Sequence, residues 1–180
     1  MKNIKELKTL IDKDELTEKI KNLADEINKY YSSNYSENEE LTVVCVLKGA
    51  VMFFAELSKY LKMPVRMEFV SLSSYGAGEK SSGRVSALNL SLPPLENKNV
   101  LVVEDIMDTG LTLKFLLDFI ETKCRAKDVK LAVMCDKKCA RKYDISPDFY
   151  ALDVDDKFIV GFGLDYNELY RNIPYIGYFE

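Results

Sequence analysis

The chain has 180 residues, 47% of them hydrophobic and 30% charged, and a net charge of −4 at pH 7. That length suffices for one α/β domain, 1–180, with a real core. The acidic balance speaks against nucleic-acid binding through an overall basic surface, and no apolar run is long enough to span a membrane. With no histidine in the chain, Ser-His, Cys-His and His-ligated metal catalysis are excluded, so acid–base work falls to carboxylates, Lys, Tyr or water.

Asp12 followed by Glu15 reads as a helix N-cap with a capping-box partner. Leu16, Ile20, Leu23, Ala24, Ile27 and Tyr31 then recur at helical spacing, which predicts an amphipathic helix over 13–31. Ser32 to Glu40 is polar and reads as a loop. Leu41 to Leu47 is a continuous apolar run, the pattern of a parallel strand buried on both faces. Lys48-Gly49-Ala50 ends it. Val51 to Leu61 is predicted helical, with Met52, Phe53, Leu57 and Leu61 inward. Pro64 opens a strand over Val65 to Leu72. Ser73 to Arg84 holds three glycines and four serines, and reads equally well as a surface loop or as a lid that closes over a site. Leu88 to Lys98 contains Pro93-Pro94 and is predicted to be a connection.

Asn99 to Val103 is a second buried-strand run. Glu104, Asp105 and Asp108 follow it, then Thr109-Gly110-Leu111-Thr112 and the amphipathic run Leu113 to Ile120, a helix reaching about Lys123. Asp128 to Cys135 is another apolar strand, followed by the basic cluster Lys137, Lys138, Arg141 and Lys142. The tail alternates short apolar pieces, Phe149–Leu152, Phe158–Gly161 and Tyr175–Phe179, with polar turns, which suggests a small β-rich lobe. Cys45, Cys124, Cys135 and Cys139 lack zinc-site spacing and read as free or buried thiols in a reduced, cytoplasmic setting. The alternation of helix and strand through residue 135 predicts a doubly wound, mainly parallel sheet.

The chemistry concentrates at residues 104–112. Backbone N–H groups of a glycine turn at a helix N-terminus, with threonine hydroxyls beside them, suit a phosphate. Adjacent carboxylates would repel that phosphate unless they face something else. Vicinal sugar hydroxyls or a hydrated Mg²⁺ are the sensible partners of Glu104 and Asp105, so the combination points to a phosphorylated sugar.

This stretch resembles the ribose-phosphate signature of the type I phosphoribosyltransferases, in the form found in the hypoxanthine-guanine enzymes, and the likeness runs from the first helix to Arg171. It implies a core of about 37–137 with a hood lobe built from the chain ends, 1–36 and 138–180. It implies phosphoribosyl pyrophosphate and 6-oxopurines as ligands, Mg²⁺ as cofactor, and a homodimer or homotetramer. By the match, Glu104, Asp105, Asp108, Thr109, Gly110, Leu111 and Thr112 hold the ribose phosphate. Leu47, Lys48, Gly49 and Arg171 bind pyrophosphate, with Leu47-Lys48 as the candidate for a cis peptide. Ile106, Lys137, Phe158, Ile159 and Asp165 bind the purine, with Lys137 at the 6-oxo group and Phe158 over the ring. Ser74-Tyr75 matches the mobile loop and favours the lid. Glu104, Asp105 and Asp165 are the implied metal carboxylates. Ala50 and Leu111 depart from the pattern, standing where many members have a glycine and some a lysine.

The reaction so implied is attack of purine N9 on C1 of phosphoribosyl pyrophosphate, giving IMP or GMP (XMP if xanthine is used) and pyrophosphate. Asp108, between the ribose acids and the phosphate loop, is the carboxylate placed to take the purine N7 proton. An ammonium at Lys137 can only donate, so it suits an oxygen at C6 and opposes the amino group of adenine. Two other readings are a regulator that keeps this fold as a sensor and an enzyme of the fold for another base. The intact set Asp108, Lys137, Phe158, Asp165 and Arg171 weighs against both. The absence of a Gly-x-x-x-x-Gly-Lys-Ser/Thr loop weighs against a nucleoside triphosphatase.

Overall fold

The structure is a computed structural model that describes residues 6–36, 39–74 and 85–179. In chain order its elements are β1 (Lys8–Ile11), α1 (Lys13–Asn34), β2 (Leu41–Leu47), α2 (Val51–Ser58), β3 (Val65–Ser74), β4 (Val85–Asn89), β5 (Asn99–Met107), α3 (Leu111–Thr122), β6 (Asp128–Asp136), β7 (Phe149–Asp153), β8 (Ile159–Val160) and β9 (Ile176–Tyr178). One six-stranded sheet has the order β4-β3-β2-β5-β6-β7, and a three-stranded sheet has the order β1-β9-β8. In the large sheet every pairing is parallel except that of β4 with β3.

Alternation along the buried strands explains the layers. Successive side chains point to opposite faces. Val43 and Cys45 of β2, Leu101 and Val103 of β5, and Ala132 and Met134 of β6 meet α1 and α2 in one core. Val44, Val46, Val100, Val102, Leu131 and Val133 meet Leu113, Leu116 and Ile120 of α3 in the other. Helices therefore cover both faces, as a sheet of continuous apolar runs requires.

Asp12 caps α1, its Oδ1 accepting from Asp14 N and Glu15 N at 2.9 Å. The helix runs on to Asn34 instead of ending at Tyr31, held by an aromatic group of Tyr30, Tyr31, Tyr35 and Phe149. By contrast α2 stops at Ser58, short of the predicted Leu61. Asn28 of α1 is the reason. Its Nδ2 donates to Tyr60 O at 2.9 Å and its Oδ1 accepts from Lys62 N at 2.9 Å, so the backbone leaves the helix to meet it. The buried face of α2 is Phe53, Phe54 and Leu57; Met52 is exposed and Leu61 only partly buried.

Two other expectations change. Val85–Asn89 is an edge strand antiparallel to β3, so the chain becomes extended before the predicted connection. Phe149–Asp153 does not join the small lobe; it extends the parallel sheet beside β6. Asp148 aligns it, its carboxylate accepting from Leu131 N at 2.8 Å while its own N donates to Leu131 O at 2.9 Å. Because α1 also packs on the main core, the hood sheet takes less of the chain than 1–36 and 138–180: its strands are β1 from one end and β8 and β9 from the other. Tyr75 and the rest of the lid stretch through Arg84 lie outside the described residues; Ser74 is the last residue of β3.

The order of the large sheet sets the place of the site. From β2 the chain moves outward to β3 on one side, and from β5 to β6 and β7 on the other. The switch point lies between β2 and β5, and the carboxyl ends of strands at a switch point are where sheets of this kind bind ligands.

Candidate active site

A cleft of about 420 Å³ opens at that switch point. It is lined by Val46, Leu47 and Gly49 after β2, by Glu104, Asp105, Ile106, Asp108, Thr109, Gly110, Thr112 and Leu113 from β5 into α3, by Leu72 of β3, and by Asp165 and Arg171 from the hood side. Val46 to Gly49 and Glu104 to Leu113 share one wall because β2 and β5 pair directly, Val43 against Leu101 and Cys45 against Val103.

The loop after β2 is compact. The Leu47–Lys48 peptide is cis, at the position anticipated. Ala50 N donates to Val46 O at 3.3 Å, and Val51 N to Lys48 O at 3.3 Å. Lys48 turns away from the cleft to pair with Glu168 at 2.9 Å. Gly49 sits against the acidic pair, and Gly163 of the hood sits against Gly49: a β carbon on Gly163 would lie 2.0 Å from Gly49 O.

The acidic pair is electrostatically loaded. Glu104 Oε1 accepts from Asp105 N at 3.0 Å, and Asp105 Oδ1 accepts from Ile106 N at 2.7 Å. Burial, and then the Asp105 charge, push the Glu104 carboxyl well above the ordinary carboxylate range. Asp105 is raised as well, chiefly by burial, against the opposing pull of its hydrogen bonds and of the Arg171 charge. Hydroxyl donors or a cation brought to this pair would favour its charged form and oppose that upward shift.

Beyond them, Gly110 adopts φ +90° as the N-cap of α3, a backbone that L side chains rarely adopt. The turn is braced from behind by residues 141–145. Lys142 N donates to Thr109 O at 3.0 Å, Arg141 Nε donates to Asp108 O at 3.2 Å, and the same guanidinium pairs with buried Asp136. Leu111 begins α3 and is not on the cleft wall. Asp108 is exposed at the cleft.

On the hood side, Asp165 Oδ1 pairs with Arg171 at 2.8 Å and its Oδ2 accepts from Glu168 N at 2.8 Å. Arg171 also donates to Gly163 O at 2.7 Å, while its buried Nε–H has no partner among the described residues. The remaining predicted residues stand beyond the cleft wall. Lys137 follows β6, its N donating to Met107 O at 3.0 Å, and the Asp108 charge is among those acting on its ammonium. Lys137 is not among the residues that line the cleft, whereas Asp108 is. Ile159 is buried, whereas Phe158 is 56% exposed and makes a T-shaped contact with Tyr166 at 5.6 Å between ring centroids.

Glu104, Asp105 and Asp165 do not form a preformed metal cage; among the described residues no three His, Cys, Asp or Glu groups converge as a metal site. Asp165 is occupied by Arg171 and a backbone N–H, and the other two carboxyls are turned onto their own backbone. Four residues went unrecognised in the sequence: Asp136, Arg141, Gly163 and Glu168. Arg141 was visible only as one of a basic cluster, and nothing local marks the other three.

Comparison with known proteins shows the family. Residues 11–167 match the phosphoribosyl transferase domain model, and the chain belongs to that family. Its relatives there include the hypoxanthine-guanine phosphoribosyltransferases of Streptococcus thermophilus, 43% identical over 94% of this chain and 91% of that protein, and of Aquifex aeolicus, 43% identical over 94% and 93%. The solved hypoxanthine phosphoribosyl transferase of Trypanosoma cruzi superposes with a TM-score of 0.90 at 34% identity, over 100% of this chain and 95% of that one. The type I phosphoribosyltransferase fold expected from the motifs is the fold found.

Proposed function

We propose that the protein is a purine salvage enzyme that transfers the 5-phosphoribosyl group of phosphoribosyl pyrophosphate to N9 of hypoxanthine or guanine, with xanthine as a third 6-oxopurine to test. The observation that carries this reading is the single cleft at the β2–β5 switch point, which combines an acidic pair, a glycine-threonine phosphate turn and an arginine with an unpartnered N–H. The N–H groups at the start of α3 and the Thr109 and Thr112 hydroxyls hold the 5-phosphate. Glu104 and Asp105 accept from the ribose hydroxyls. Gly49 and Arg171 meet the pyrophosphate. Lys137 donates to the purine 6-oxo group, Phe158 covers the ring, and Asp108 takes the N7 proton as N9 attacks.

Mg²⁺ belongs to this reading. The cleft offers only hard carboxylate oxygens, and the lack of a closed cage suits an ion that keeps several waters and takes further ligands from substrate phosphates. Asp165, Glu104 and Asp105 are the groups that would hold it, and when bound it supplies neutralising charge to the departing pyrophosphate.

We further read the chain as one domain that works in the cytoplasm, consistent with four free thiols; no described helix is long and apolar enough to cross a membrane. A homodimer or homotetramer is supported by the exposed hydrophobic side chains Val51 and Met52 of α2 and Met67 and Phe69 of β3, of which Met67 is 50% exposed. Sedimentation of the purified protein tests the assembly, and a monomer would refute it.

The deciding experiment is a substrate panel. Protein, Mg²⁺ and phosphoribosyl pyrophosphate are mixed with guanine, hypoxanthine, xanthine, adenine or uracil, and nucleotide formation is followed. Guanine and hypoxanthine should react, and adenine and uracil should not. Binding without turnover of any base would point to a sensor instead.

A further inference from the structure

Lys137 does not stand alone at the purine end of the site. Its Nζ lies 2.8 Å from Asp156 Oδ1, with the lysine side chain 15% exposed and the aspartate 86% exposed. The pair joins two separate pieces of chain, the end of β6 and the turn before β8 that carries Phe158. Backbone hydrogen bonds place both ends: Lys137 N donates to Met107 O at 3.0 Å, and Val154 N donates to Asp136 O at 3.1 Å.

The neighbouring lysines are committed elsewhere. Lys138 pairs with Asp153 and lies over the Tyr150 ring. Lys157 lies over the Tyr178 ring at 4.5 Å. Asp156 therefore serves Lys137. The other groups whose charge acts on that ammonium are Asp108, across the cleft from β5, and Cys139, on the same turn.

We propose that Asp156 is a positioning residue for purine recognition: it fixes the Lys137 ammonium where a 6-oxo group meets it and keeps it from swinging onto Asp108. An ammonium has three donors. One is spent on Asp156, leaving others for the base oxygen. A free lysine stem has many rotamers to lose on binding, and the Asp156 pair removes part of that loss beforehand. The Asp108 charge also acts on that ammonium, and a lysine drawn to it would both vacate the purine edge and occupy the carboxylate proposed as base.

This role rests on the function proposed above, and a double-mutant cycle on Asp156 and Lys137 tests it. In the wild-type background, Asp156→Asn should raise the KM for guanine about tenfold and leave the KM for phosphoribosyl pyrophosphate unchanged. Asp156→Glu should restore most of the guanine affinity. In the Lys137→Met background, where guanine affinity is already weakened, Asp156→Asn should add nothing. An unchanged guanine KM in the single variant, or the same tenfold change in both backgrounds, overturns the proposal. The same cycle read as GMP affinity by calorimetry needs no turnover. A wild-type protein inactive on guanine would therefore sink the proposed activity, while the role of Asp156 would still be decided.

Discussion

A β carbon on Gly49 would lie 1.7 Å from Oδ2 of Asp105. The loop after β2 and the acidic end of β5 are thus in direct contact across two strands. Gly49 is needed for that closeness, because any side chain there pushes the carboxylate aside. Gly49→Ala should raise the KM for phosphoribosyl pyrophosphate about 10²-fold, the cost of an ångström-scale misplacement, with a smaller effect on purine affinity. Steady-state kinetics with each substrate varied in turn check this; a normal KM would show that Asp105 can move without consequence.

Glu104 gives a pH-dependent prediction for stability. Its carboxyl is raised in the folded protein above the ordinary 4.5 by burial and by Asp105. The folded state therefore holds the proton more tightly than the unfolded chain. Its favourable contribution is complete below 4.5 and is lost as pH rises through the folded-state value. Glu104→Gln should be no more stable than wild type at pH 4 and should gain as pH rises. A gain of 1 kcal/mol corresponds to about 2–4 °C for a chain of this size. Thermal melts across pH 4 to 8 measure the gap, and a gap independent of pH would contradict this account. The same substitution should weaken sugar binding.

Asp108 is exposed at the cleft, and its carbonyl is held by Arg141 at 3.2 Å. The turn geometry therefore does not depend on the Asp108 carboxylate. Asp108→Asn should lower kcat by about 10²–10⁴-fold, the usual worth of general-base assistance, with the KM for phosphoribosyl pyrophosphate nearly unchanged. Pre-steady-state measurement of the chemical step decides it, since an unaltered chemical rate removes Asp108 from proton transfer.

Phe158 is 56% exposed and makes a T-shaped contact with Tyr166. A base stacked there gains about 1–3 kcal/mol by the usual measure of aromatic truncation. Phe158→Ala should raise the purine KM by roughly 5–150-fold and leave the melting temperature within a degree or two. A large loss of stability would mean that Phe158 acts by packing.

Much of the core was legible because it is local. The run Leu41–Leu47 has no polar break except Thr42, so it must be covered on both faces. The cap at Asp12 and the spacing from Leu16 to Tyr31 place a helix without reference to anything distant. The acidic-glycine-threonine stretch marked the ligand edge for the same reason. The errors came where a partner far along the chain intervenes. Asn28 pulls residues 60–62 out of helix α2, and no pattern within Val51–Leu61 announces it. Phe149–Leu152 is too short for its hydrophobicity to say which sheet it joins; pairing with β6, aligned by Asp148, places it in the large one.

By itself, then, the amino-acid order determined which segments extend, which coil, and where carboxylates, a glycine turn and threonines are concentrated, since periodicity and turn composition act over a few neighbouring residues. Tertiary structure alone decided that Gly49 abuts Asp105, that Arg141 and Asp136 brace the phosphate turn, and that Asp156 holds Lys137. Those relationships depend on strand order and on close approach between distant segments, and such contacts leave no trace in the spacing of either partner.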